Sequence, residues 1–274
     1  MIHIVTIHHE TDKFIDLQDK YFQRYTESTY KIYAGLCNAN IDYYASAQQN
    51  GEYEHFQFVD LNEVENQHWY RMNYLTQYIA AVNPNLSDED WLVFVDGDAF
   101  PVWPWEEPIN TLLNEDGLQV VAVDRLENPE PLLDDFLKPY PHPCFCVTLL
   151  KWWIDNALAW ELHGAQIPTA GPLLKLWLQK NEYNWAGMSR TNLYNLHPLY
   201  FGIYGGIIYH HGAGNRMVYD SIDIWPRHQL GAGTDLDIRY PCIPAANKRL
   251  SDLVFNEIIS DDEFINVYLM GRPG

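Results

Sequence analysis

The most constraining stretch of this chain is Trp91-Leu92-Val93-Phe94-Val95, five consecutive apolar residues with acidic residues on both sides. A strand at a surface alternates apolar and polar side chains, because only one of its faces is covered. A short unbroken apolar run is covered on both. Strands of that kind belong to sheets with helices on the two faces, the α/β class. Other segments agree with this. Ile2 to His9, Tyr30 to Leu36, Glu54 to Leu61 and Leu118 to Val123 read as further strands. Phe14, Leu17, Tyr21 and Tyr25 recur at helical spacing and predict a helix entered at an Asp12 cap and running to about Glu27. Trp69, Met72, Leu75, Ile79 and Val82 predict another that stops before Pro84. Strands alternating with helices predict a mostly parallel central sheet, with functional groups gathered at the carboxyl ends of its strands.

The second half is less regular. Phe145 to Leu149 and Tyr204 to Tyr209 read as strands, Lys151 to Leu162 and Pro172 to Lys180 as helices. Pro139, Pro141 and Pro143 punctuate the join without making a flexible linker. A chain of 274 residues with 47% hydrophobic and 20% charged residues folds and buries a large core. One domain is expected, with two lobes meeting near residue 125: about 1–125 and about 126–274.

The net charge of −20, with only 17 Lys and Arg and no cluster of them, argues against nucleic acid and anionic membrane surfaces as partners. No apolar run approaches the roughly 20 residues of a membrane span. The start, Met1-Ile2-His3-Ile4, lacks the basic and apolar segments of a signal peptide. Four cysteines are too few and too irregular for a disulfide framework. Cytoplasmic residence is the expectation.

The residues that carry chemistry follow the apolar run directly. In an extended segment, residues i and i+2 point the same way, so Asp96 and Asp98 can converge on one hard cation. Gly97 between them reads as a position where a ligand meets bare backbone. The alternative is a solvated acidic turn. Later, His210 and His211 end another apolar stretch and point to opposite sides, so one of them at most faces a given site. Glycines at 205, 206, 212 and 214 read as room for close approach of a ligand, and His211 is the chosen ligand with His210 the alternative. Cys144-Phe145-Cys146 reads as strand with two small hydrophobes, since a metal site there lacks a second cysteine pair.

Leu92-Val93-Phe94-Val95-Asp96-Gly97-Asp98 resembles the hydrophobic strand and DxD motif of GT-A glycosyltransferases, whose fold is Rossmann-like with a mostly parallel sheet and helices on both faces. Ile207-Ile208-Tyr209-His210-His211-Gly212-Ala213-Gly214 is similar to the late His-x-x-Gly element of family 8 enzymes. That family continues to Lys and Trp; here Asn215 and Arg216 follow. The resemblance implies transfer of a sugar from a UDP- or GDP-sugar to a glycan or other hydroxyl acceptor, with retention favoured over inversion. It implies Mn²⁺ or Mg²⁺ held by Asp96, Asp98 and His211. Such a cation would also screen an anionic donor in a chain this acidic. Thr6, His8, Arg71, Asp96, Gly97 and Arg216 are candidates for donor binding, and His68 and Asn73 are weaker ones. Asp124 and Asp135, with Asp134 beside it, are candidates for the catalytic carboxylate. His142, Arg190, Asn192 and His197 are candidates for the acceptor.

Three rival readings remain. A metal-dependent hydrolase could draw on His8, His9 and Glu10 with Asp96, Asp98, His210 and His211, but the His-Glu-x-x-His signature is absent. A nucleotidyltransferase would share the metal and diphosphate chemistry. A carbohydrate-binding module would account for the Trp and Tyr content, though not for the strand and Asp-Gly-Asp. The glycine-rich dinucleotide fingerprint, the P-loop and the Gly-x-Ser-x-Gly elbow do not occur.

Overall fold

The computed structural model describes all residues except 66, 115–116, 125–138, 162–170, 197–199, 213–242 and 273–274. Its strands are β1 (Ile2–His9), β2 (Tyr30–Cys37), β3 (Phe56–Asp60), β4 (Trp91–Val95), β5 (Ala99–Pro101), β6 (Leu118–Val123), β7 (His142–Leu149), β8 (Asn184–Met188), β9 (Gly202–Tyr204) and β10 (Ile208–His210). The helices are α1 (Ile15–Tyr25), α2 (Ile41–Gln49), α3 (His68–Val82), α4 (Glu106–Leu113), α5 (Leu150–Asp155), α6 (Gly171–Lys180) and α7 (Ile243–Ser260), followed by a π-helical turn, Phe264–Leu269.

Seven strands form the main sheet in the order β3-β2-β1-β4-β7-β6-β8. All run the same way except β7, which is antiparallel to both β4 and β6. The apolar run 91–95 is therefore the interior strand it was expected to be, and its alternate residues serve two cores. Val93 and Val95 pack with Ile4, Tyr21, Phe22 and Ile109, so α1 and α4 cover that face. Leu92 and Phe94 pack with Val5, Leu75, Ile79 and Leu178, so α3 and α6 cover the other. Period-two alternation with apolar residues on both sides is what an unbroken run means physically.

A second, three-stranded sheet has the order β5-β10-β9, all antiparallel. Tyr204 to Tyr209, expected as one strand, is in fact the end of β9, a turn, and most of β10. Gly205 at φ 58° and Gly206 at φ 71° turn the chain back on itself there. These glycines serve a hairpin, and no ligand is needed to account for them. Helix α1 also starts later than expected. Phe14 holds the cap position without a side-chain bond, and Asp12 contributes only its carbonyl, to the Ile15 amide at 2.9 Å.

Among the described residues no helix is long and apolar enough to cross a membrane.

Candidate functional site

Asp96-Gly97-Asp98 stands at the carboxyl end of β4, beside the end of parallel β1. Gly97 is required there by packing. A Cβ at this position would lie 2.2 Å from the Ile7 carbonyl oxygen, so it is the neighbouring strand, and not a ligand, that takes the space of the missing side chain. From below, the fully buried Gln18 of α1 fastens the loop. Its amide donates to the carbonyls of Asp96 at 3.0 Å and Ala99 at 2.9 Å, and its oxygen lies 3.2 Å from His8 Nε2.

The small sheet then brings in the histidine. Strand β5 leaves the loop at Ala99 and pairs with β10 so that Ala99 lies opposite His210. His210 Nε2 is 3.3 Å from Asp96 Oδ2 and 3.3 Å from Asp98 Oδ1. Burial works to neutralise this imidazole. The electrostatic pull of Cys144 and Asp98, with the hydrogen bonds to both carboxylates, outweighs burial and holds the ring well above its ordinary range. Burial likewise opposes charge on Asp96. The hydrogen bond from His210, with His68, His210 and His142 nearby, brings its carboxyl down to about 2. His68 Nε2 at the start of α3 lies 3.6 Å from Asp96 Oδ1. The cluster is completed by Cys144: single ligand atoms of Asp96, Cys144 and His210 all lie within 4.8 Å of one another. One divalent cation can bridge atoms that close, and carboxylate, thiolate and imidazole are all competent donors.

His211 is not the residue that faces the carboxylates, contrary to the sequence-based choice. It is buried between Phe14 and Phe201, with Nδ1 2.9 Å from Tyr209 Oη and Nε2 2.8 Å from Ser251 Oγ. Both ring nitrogens are engaged in the core, and burial lowers its pKa to about 3. Adjacent residues of β10 point to opposite faces, and the register with β5 turns His210 toward the site. Thr6 and His8, expected at the donor, are likewise buried beneath the loop. Thr6 accepts a hydrogen bond from Gln18, and burial lowers His8 to about 4. Arg190 and Asn192, expected at the acceptor, hold the segment around β9 instead. Arg190 donates to Asn192 Oδ1 and the Tyr200 carbonyl, while Asn192 bonds the Phe201 carbonyl and the Ile203 amide.

Other candidates do reach the rim. His142 at the start of β7 accepts from the Cys144 amide at 3.1 Å, with its ring 6.5 Å from that of His210. Asp124, just past β6, is buried. Its Oδ2 accepts from Ser189 Oγ at 2.6 Å, and its Oδ1 has no hydrogen-bond partner among the described residues. Arg71 is buried on α3 with Nη1 3.5 Å from His9 Nδ1, Nη2 3.4 Å from the Val64 carbonyl, and Nε without a partner among the described residues. Asn73 instead bonds the Trp160 backbone. With His8 turned onto Gln18 and His9 toward Arg71, these two do not join Asp96 and Asp98 in a centre of the hydrolase kind. Asp134, Asp135, His197, Gly214 and Arg216 lie outside the described residues.

Gln18 is the site residue that sequence reasoning passed over, and Cys144 is one that it read as a small hydrophobe of a strand for want of a second cysteine pair. Gln18 had a signal: it is the polar member of a face otherwise made of Phe14, Leu17, Tyr21 and Tyr25, one turn beyond Phe14. Cys144 had a weaker one, in Pro143 just before it.

The fold and its rim thus define a mixed α/β protein with a seven-stranded, mostly parallel sheet and a carboxylate, imidazole and thiol cluster at the strand ends. No family model matches the chain, and no curated protein matches it. Among solved structures it is similar to the mannosyltransferase PcManGT from Pyrobaculum calidifontis in complex with GDP-Man and Mn²⁺, at 8% identity over 68% of this chain and 54% of that one, with a TM-score of 0.47. It is also similar to S. aureus TarS 1–349 in complex with UDP-GlcNAc, at 10% identity over 61% of this chain and 51% of that one, TM-score 0.43. A third is glucosyl-3-phosphoglycerate synthase from Mycobacterium tuberculosis in complex with Mn²⁺, UDP and phosphoglyceric acid, at 18% identity over 69% and 68% of the two chains, TM-score 0.44. The chain spans about half the length of the first two, 54% and 51%. Likeness at this level says nothing about which residues act or on what.

Proposed function

We propose that the chain is a metal-dependent glycosyltransferase of the GT-A type, taking a UDP- or GDP-sugar as donor and a glycan or other hydroxyl compound as acceptor. The observation that carries this reading is the meeting of Asp96, Asp98 and His210, with Nε2 of the histidine 3.3 Å from each carboxylate. Residues so distant in sequence have no reason to converge in a solvated acidic turn. Asp96, Asp98 and His210 are the residues assigned to hold Mn²⁺ or Mg²⁺. When bound, the cation stabilises negative charge developing on the departing nucleoside diphosphate.

This chain's own groups do the rest. Arg71, a buried cation whose Nε has no hydrogen-bond partner among the described residues, supplies positive charge on the donor side in a protein that otherwise repels anions. Asp124 is the catalytic carboxylate: its Oδ1, without a hydrogen-bond partner among the described residues, can accept a hydrogen bond from a sugar or acceptor hydroxyl, while Ser189 fixes its other oxygen. The donor belongs to the part before about residue 125 and the acceptor to the part after it.

A thermal-shift screen of UDP- and GDP-sugars with and without Mn²⁺ tests the proposal. One donor should raise the melting temperature only when metal is present, by the linkage of binding to stability. A complete set of donors that shifts nothing under either condition would overturn it.

A further inference from the structure

Cys144 has no part in the chemistry just described, yet the backbone is arranged to deliver it there. Because β7 runs against the rest of the sheet, its first residues stand at the rim where the other strands end. Its pairing with β6 is broken: Ala122 lies opposite Cys146, but Val123 lies opposite His142, so residues 143–145 are extra on β7. Pro143 begins this bulge and has no amide to give to a ladder. The next amide, that of Cys144, bonds the His142 side chain at 3.1 Å, and the Cys144 carbonyl accepts from the Asp96 amide at 3.3 Å. Bulges beside functional sites re-aim side chains. This one ties Cys144 to the Asp96 loop and sets its sulfur among the ligand atoms of Asp96 and His210, all within 4.8 Å. Cys146, two residues on, lies in the opposite apolar core with Val5, Phe94 and Ala122.

We propose that Cys144 is a thiolate ligand in one centre with Asp96 and His210, and that this centre selects a thiophilic divalent ion of the Zn²⁺ and Co²⁺ kind over Mg²⁺. The inference rests on the metal-site part of the proposed function and revises its choice of ion. Mg²⁺ binds oxygen ligands and dehydrates reluctantly, whereas a sulfur, nitrogen and oxygen donor set suits borderline transition metals. On binding, the Cys144 thiol and the His210 imidazolium each lose a proton to solvent, and the sulfur and nitrogen lone pairs so freed form the bonds to the ion, so no oxidant or reductant is involved.

Co²⁺ titration of the whole chain, followed by absorption, is the test. The wild-type protein should take up one Co²⁺ with a thiolate-to-cobalt charge-transfer band. Zn²⁺ should abolish that band at stoichiometric amounts, and a large excess of Mg²⁺ should leave it in place. Cys144→Ser should lose the band and bind Zn²⁺ at least about tenfold more weakly, while Cys146→Ser keeps both. Cadmium NMR on the wild-type protein reads sulfur ligation directly and needs no variant to fold. Co²⁺ bound without the band, or a band that survives in Cys144→Ser, would overturn the thiolate. If equilibrium dialysis finds no divalent ion bound at all, the metal reading falls with it. If the band is present but no nucleotide sugar binds, the thiolate centre stands and the transferase reading fails.

Discussion

Replacing Gly97 by alanine would set a methyl group 2.2 Å from the Ile7 carbonyl oxygen, a contact that backbone cannot relieve by rotation. The loop or β1 must shift, at an expected cost of about 1–3 kcal/mol. Urea unfolding should show the loss in stability, and calorimetric titration should show weaker metal binding, because Asp96 and Asp98 move with the glycine. The two adjacent histidines should separate cleanly. His210→Ala removes the imidazole shared by two carboxylates and should weaken metal binding at least about tenfold, with about 1–3 kcal/mol of stability lost as well because both carboxylates lose their buried partner. His211→Ala leaves Ser251 and Tyr209 without their buried partner between Phe14 and Phe201. It should cost about 1–3 kcal/mol and leave metal affinity nearly intact. If metal binding depended on His211 and not on His210, the assignment drawn from the geometry would be reversed.

At the scale of elements, Gln18 is the side chain through which α1 hydrogen-bonds the site loop. Gln18→Leu keeps the volume but removes the side-chain donor to the Asp96 and Ala99 carbonyls, of which that of Asp96 keeps the Ala99 amide at 2.9 Å, so about 1–3 kcal/mol should be lost, with donor binding weakened as the loop loosens. The buried imidazoles beneath the site also set a pH dependence. Burial lowers His8 to about 4 and His211 to about 3, against an ordinary value of 6.5. Between those values and 6.5 the unfolded chain binds protons that these two folded rings refuse, so their contribution to stability is complete above about pH 6.5 and falls as pH is lowered toward 4 and then 3, while His210, held well above its ordinary range, contributes in the opposite sense. Urea midpoints measured at pH 7.5 and pH 5 on the wild-type protein and on His211→Gln isolate the His211 part: the variant should lose less stability at pH 5 than the wild-type protein does. The elements themselves were legible where periodicity is local. The run 91–95 gave an interior strand and the spacing 14, 17, 21, 25 gave α1 to within a few residues. What escaped was decided by pairing between distant segments. The direction of β7 and its bulge depend on β4 and β6, and which of His210 and His211 faces Asp96 depends on the register of β10 with β5. No pattern within a window of sequence encodes those choices.

For the whole molecule, the dominant quantity is charge. With 37 Asp and Glu against 17 Lys and Arg, the chain stands at −20. A nucleoside diphosphate approaching the rim meets that field together with Asp96 and Asp98 themselves, and Arg71 is one buried cation against it. A divalent ion held by Asp96 and His210 would change the balance locally, because it would be the largest charge in the site and of the sign that attracts a diphosphate. Donor affinity should therefore collapse under chelation, by at least about tenfold, or roughly 1.4 kcal/mol. Salt should act differently on the two forms. Screening weakens the long-range repulsion, which dominates without metal, far more than it weakens direct contacts at a buried ion. Raising salt should then improve what donor binding remains in EDTA while changing the metal-loaded form little. Isothermal titration with and without EDTA, at low and at moderate ionic strength, reads both effects. Equal affinity in the presence and absence of chelator would show that the acidic rim binds its donor without a metal, and the roles assigned to Asp96, Asp98 and His210 would have to be given up together.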